Sequence, residues 1–209
     1  MTFKDEVITE LNKPLAREHI KQREKGGASL SYVEGWHVIA EANRIFGHGD
    51  WTRETVEMNM LHSPEQNERG NIMVSYSAKV RITAGGVVRE GWGFGSQVAR
   101  FVGDAHEGAI KEAETDAMKR ALMTFGNPFG LALYDKAQVN VETTAQMKDR
   151  QYNETVEFIR AVKTVKEFEE AKLKARTLYK GLDLEKKNEL MVEVTKKEKE
   201  IAPKGESNE

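Results

Sequence analysis

The segment that most restricts the fold lies at residues 72–83. Ile72, Val74, Tyr76, Ala78, Val80 and Ile82 alternate there with Met73, Ser75, Ser77, Lys79, Arg81 and Thr83. Successive side chains on a strand point to opposite faces, so a period of two predicts a strand with one face buried and the other mostly polar. Such a strand needs paired neighbours. Ala84-Gly85-Gly86 supplies a tight turn into a following strand, and a loop around Ser63 to Asn71, containing glycine and proline, leads back to a strand that begins near Trp51. Residues 51–96 are therefore expected to form a three-stranded antiparallel meander.

A helix is expected over residues 104–125, where alanines at 105, 109, 113, 117 and 121 recur every fourth position. That stripe of small side chains allows a close approach to a sheet. Ile110, Met118, Leu122 and Phe125 widen the face, and Gly126 and Pro128 end it. Upstream, residues 3–25 look like short helices broken at Pro14. Ser31 and Glu34 have the spacing of a capping box that would start a helix running from about Tyr32 to Phe46, with Gly47 as its stop. Residues 141–209 hold 15 basic and 15 acidic residues and no Trp, and Phe158, Val162, Val165, Phe168 and Leu173 have helical spacing. We expect a helical hairpin split at Gly181, then a polar, disordered tail. The predicted class is α+β: a β-β-β-α core, N-terminal helices and a C-terminal helical hairpin. The expected divisions are 1–140, 141–201 and 202–209.

Composition mainly excludes. The absence of cysteine removes disulfides, thiolate nucleophiles and cysteine-ligated metals, and a net charge of -2 with 32% charged residues means that any basic surface is local. Met1 to Glu10 lacks the basic start and apolar run of a signal peptide, and no stretch of about 18 apolar residues occurs. A soluble, cytoplasmic protein without membrane contact is expected.

Binding a single strand without reading its sequence requires cations that track phosphates and flat groups on which bases stack. Lys111, Lys119 and Arg120 lie on the non-alanine side of the 104–125 helix, Lys79 and Arg81 on the polar strand face, and Arg23 and Arg100 in flanking segments. Ion pairing accounts for the same charges, since Asp116 and Arg120 are i,i+4 neighbours. In Gly91-Trp92-Gly93-Phe94-Gly95 the two aromatics share one face. Packing is the favoured reading, with the glycines admitting another backbone, although a platform for bases fits the pattern too. No P-loop or dinucleotide fingerprint is present. Glu34, His37 and Glu41 share a helix face, yet no second ligand-bearing segment accompanies them; a capping glutamate and a surface histidine are expected. Neither an enzyme nor a cofactor is expected.

Two stretches carry a family resemblance. The first runs from Leu30 through Ser31-Tyr32-Val33-Glu34-Gly35-Trp36-His37 to Ala42-Asn43-Arg44-Ile45-Phe46-Gly47 and Trp51. The second runs from Lys111 to Leu122, then Phe125-Gly126-Asn127 and Leu133-Tyr134-Asp135-Lys136, with Gly93-Phe94-Gly95 between the two. In order and spacing they resemble the Rad52/Rad22 family of single-strand annealing proteins over residues 15–136. The resemblance implies subunits joined side by side in a ring or arc, with a groove that binds single-stranded DNA and anneals complementary strands without ATP in recombination and repair. It implies inner-groove cations at Arg23, Lys111, Lys119 and Arg120 and an outer site that includes Arg100. Met123 stands where eukaryotic members carry a basic residue, which implies fewer phosphate contacts. The short C-terminal region points to a bacterial or phage type, nucleoid-associated, with a single-strand-binding protein or recombinase as candidate partner of residues 150–200. A double-stranded RNA or DNA end-binding module is the rival reading, since a sheet with a packed helix also suits duplex shape.

Overall fold

The computed structural model describes residues 3–201. The chain divides after Glu142 into two compact units. The first runs α1 (Asp5–Asn12), β1 (Ile20–Lys25), β2 (Ala28–Val33), α2 (Gly35–Phe46), β3 (Trp51–Gln66), β4 (Ile72–Ala84), β5 (Val87–Ala99) and α3 (Val102–Met123). The second holds α4 (Thr144–Ala161), α5 (Val165–Tyr179) and α6 (Leu184–Ile201).

The alternating segment is β4, the middle strand of the antiparallel sheet β3-β4-β5. Val74, Ala78, Val80, Ile82 and Ala84 are buried, as the period of two requires. Their face is covered by α3, whose alanines at 105, 109, 113, 117 and 121 are fully buried. Gly91, Gly93 and Gly95 of β5 make the approach possible, because a Cβ on any of them would collide with α3 backbone. The sheet edge is managed by the same helix. Asp116 accepts the backbone N–H of Phe94 at 3.3 Å and Glu112 that of Ser96 at 2.9 Å, so side-chain carboxylates cover donors that an edge strand leaves open.

The amino-terminal part departs from expectation. Only residues 5–12 form an α-helix before Pro14; Leu15 then bridges to Val141 and residues 20–33 form a β-hairpin. Gly26 and Gly27 turn that hairpin with φ of 59° and 78°, both in the left-handed region that a two-residue turn of this kind needs. Ser31 consequently pairs with Gln22 in the ladder and caps nothing. The following helix starts at Gly35 with Glu34 as its N-cap and no side-chain cap; the Glu34 carboxylate instead accepts from the Trp36 indole N–H at 3.1 Å. Strand pairing therefore took Ser31, the residue that was expected to cap the helix.

Among the described residues the carboxy-terminal unit has three helices where a two-helix hairpin was expected. The missed break is at Val162–Thr164, where Thr164 and Glu167 form a capping box for α5. The apolar residues of helical spacing are largely covered within the unit. Val162 and Phe168 are buried with Val156, Ile159, Ala171, Ala175, Leu182 and Leu190, while Val165 and Leu173 stay exposed. The tail expected at 202–209 lies outside the described residues.

Candidate nucleic-acid interface

The β1–β2 hairpin, the carboxy-terminal half of α3 and the residues after it enclose a cleft of about 310 Å³. Arg23, Tyr32, Lys119, Arg120, Met123 and Tyr134 line it. The ladder brings Arg23 and Tyr32 to this side of the unit, and α3 presents Lys119 and Arg120 against them. The Arg23 guanidinium lies 5.6 Å from the Tyr32 ring centroid and the Lys119 ammonium 5.3 Å, both within cation–π range. Arg120 donates to Asp116 at 3.0 Å. Lys119 has no carboxylate at ion-pair distance among the described residues. Burial lowers its pKa below the ordinary lysine value; Asp116 and Glu34 oppose that shift and Arg23 adds to it. A partly desolvated lysine beside an arginine and two aromatic rings favours an anion that also carries a flat group, because bringing in negative charge relieves the like-charge repulsion.

The other expected cations lie elsewhere. Lys111 is on the outer side of α3, about 12 Å along the axis from Lys119, and pairs with Glu107. Arg100 is just before the opposite end of α3, its guanidinium 5.9 Å from the Phe101 ring centroid. Lys79 and Arg81 occupy the sheet face turned away from α3, where Glu90 accepts from Lys79 at 2.9 Å and from Arg81 at 2.8 Å. The cleft thus gathers Arg23, Lys119 and Arg120, and leaves Lys79, Arg81, Arg100 and Lys111 outside.

That away-facing sheet surface overturns one packing expectation. The glycines at 91, 93 and 95 do admit the α3 backbone, but Trp92 and Phe94 are 48% and 54% exposed on the opposite face. Lys79 lies 5.9 Å from the Trp92 ring centroid. Sequence reasoning missed Tyr32 and Tyr134 as cleft residues, although both stand inside the stretches that carry the family resemblance. Their meeting with Lys119 and Arg120 in one cleft is a tertiary fact.

One detail of the reading of Glu34, His37 and Glu41 is corrected. His37 is 5% exposed, not a surface residue, and stacks on His19 with ring centroids 3.8 Å apart. Burial lowers the His37 pKa first, with His19 adding to the shift. No group of three or more His, Asp or Glu side chains among the described residues has the arrangement to hold a metal ion. No helix among them is long and apolar enough to cross a membrane.

The profile of the Rad52/22 family of double-strand break repair proteins matches residues 4–152, which include the whole of the sheet, α3 and the cleft. The chain belongs to the Rad52/22 family. Similar proteins include the DNA repair and recombination protein RAD52 of Kluyveromyces lactis, 40% identical over 136 residues that cover 64% of this chain and 31% of that protein. The DNA repair and recombination protein rad22 of Schizosaccharomyces pombe is 40% identical over 129 residues, or 60% and 28% of the two chains. RAD52 of Saccharomyces cerevisiae is 39% identical over 135 residues, or 63% and 28%. The chain spans less than a third of the length of these relatives. All three are fungal proteins, and they lend no support to a bacterial or phage type. The family match ends within α4, so α5 and α6 lie outside it.

Proposed function

We propose that this protein acts in DNA recombination and repair by binding single-stranded DNA in the Arg23–Tyr32–Lys119 cleft and annealing complementary strands without ATP. The observation that carries the reading is the convergence of Arg23, Lys119 and Arg120 on one cleft beside Tyr32 and Tyr134. Phosphates take the cations and release counterions, while the rings offer stacking surface that does not depend on base identity. Pairing between the two strands then drives the annealing. Lys111 and Arg100 are secondary anchors along and beyond α3; Lys79 and Arg81 belong to a separate surface on the other face of the sheet.

Assembly into a ring or arc is part of the same proposal. Val88, Trp92, Phe94 and Val98 are exposed along β5 on the sheet face turned away from α3, and apolar side chains lined up in that way invite cover by a second copy. The carboxy-terminal helices are proposed to recruit a partner such as a single-strand-binding protein or recombinase.

The test replaces Lys119 and Arg120 together by alanine and follows single-strand binding over a range of salt. Annealing is followed in parallel by fluorescence, without nucleotide. Affinity should fall, and the salt slope should shrink by about 0.7 for each phosphate that is no longer neutralised. Unchanged binding at every salt concentration would refute the assignment. A duplex that outcompetes the single strand, with no annealing, would favour the end-binding alternative.

A further inference from the structure

Five cations of the carboxy-terminal unit are held in internal ion pairs. Arg160 pairs with Glu193, Lys186 with Asp149, Arg150 with Glu154 at 3.0 Å, Lys172 with Glu169 at 2.6 Å and Lys197 with Glu200 at 3.2 Å. One group of cations stands beside an apolar trough. Between α5 and α6 runs an open trough of about 570 Å³, floored by Ala175, Leu190, Met191 and Val194 and walled on one side by Tyr179. Arg176 and Lys180 stand at its rim, and neither has a carboxylate at ion-pair distance among the described residues. Lys187 adds a third cation, its ammonium 5.4 Å from the Tyr179 ring centroid. Glu198 is the one acid in the lining. Met191 is 50% exposed and continues onto Val192, 65% exposed, so the apolar floor does not stop at the trough.

We infer that this trough is a docking site for an acidic peptide segment that carries a bulky apolar side chain. The unpaired cations of the rim match carboxylates, and the floor matches a side chain that would lose water on entering it. A nucleic-acid strand fits less well, because an apolar floor offers its phosphates nothing and Tyr179 is the sole aromatic ring in the lining. The inference deepens the partner role proposed for these helices. It does not depend on how the cleft binds DNA.

The full-length chain is titrated into a fluorescein-labelled peptide of aspartates with one phenylalanine and one leucine, and binding is read by anisotropy. Companion peptides replace the two apolar residues by alanine or the aspartates by lysine. The acidic apolar peptide should bind, and both companions should bind more weakly by about tenfold or more. Arg176→Glu combined with Lys180→Glu should weaken it by a similar factor, as should Met191→Asp alone. Both changes are at exposed positions, and an unchanged circular dichroism spectrum excludes misfolding. Lys119→Ala should leave peptide binding intact while impairing DNA binding, which separates failure of this site from failure of the cleft. The inference is overturned if the peptide does not bind, if the charge reversals leave its affinity unchanged, or if Lys119→Ala abolishes binding. It is also overturned, in favour of a nucleic-acid site, if a single-stranded oligonucleotide displaces the peptide and loses affinity with the same reversals.

Discussion

Replacing Gly91 by alanine tests the packing that aims the cleft residues. Gly91 is buried in β5 opposite α3, and a Cβ there would lie 2.5 Å from both the Ala117 carbonyl oxygen and the Ala121 nitrogen, and 2.9 Å from the Arg120 Cβ. Ordinary contact begins at 3.4 Å. Two of the three atoms struck are helix backbone, which cannot swing aside as a long side chain can. Strand and helix must separate by about 1 Å, and a gap of that size forfeits about a quarter to a half of the dispersion energy of the atoms lining it. Overpacking costs about 1–3 kcal/mol in general, and a clash of backbone against backbone belongs at the upper end. For a unit of this size about 3 kcal/mol lowers Tm by roughly 6–12 °C. Thermal and urea unfolding followed by circular dichroism measure it, with Val139→Ala as the control. Val139 is 73% exposed and belongs to none of the proposed surfaces, so its truncation should cost about 1 kcal/mol at most. A Gly91→Ala protein that melts within about 2 °C of the parent would refute the close helix-on-sheet packing.

Tyr32→Ala should weaken single-strand binding by about 1–3 kcal/mol, the range for one stacked base, whereas Tyr32→Phe should keep it within about twofold. Equal losses in the two variants, measured by anisotropy, would argue against stacking. His37 has a folded-state pKa below its unfolded value, with His19, Glu41, Arg44 and Glu18 as its charged neighbours. The unfolded chain therefore binds that proton more readily, and the His37 contribution is complete above about pH 6.5 and declines below it by up to about 1.4 kcal/mol per pH unit. Urea unfolding between pH 5 and 8 should show a shallower decline for His37→Gln; superimposable profiles would contradict this. A chain ending at Glu142 should fold cooperatively and bind single strands, because the core from Leu11 to Val141 takes no residue from the helices beyond it. Loss of folding on that truncation, seen by circular dichroism, would show the two units to be interdependent.

The β4 alternation, the turn at Gly85-Gly86, the alanine stripe of α3 and the glycines that meet it are all legible along the chain. Each is a local period or a local turn residue whose consequence is fixed by strand or helix geometry. The cations of the cleft were likewise nameable one by one from the family resemblance. What stayed hidden needed partners far apart in sequence. The strand at residues 20–25 is charged and lacks an apolar face, so nothing in it announces pairing; the ladder with β2 makes it a strand and carries Arg23 to Lys119. Trp92 and Phe94 read as core because aromatic residues favour burial, yet the glycines between them had already assigned the buried face to the α3 backbone. The sequence by itself determined which segments pleat and which coil, because those choices are made over a few residues. Only the tertiary structure decided which cations stand together, since that depends on side chains from β1 and α3 meeting across the fold.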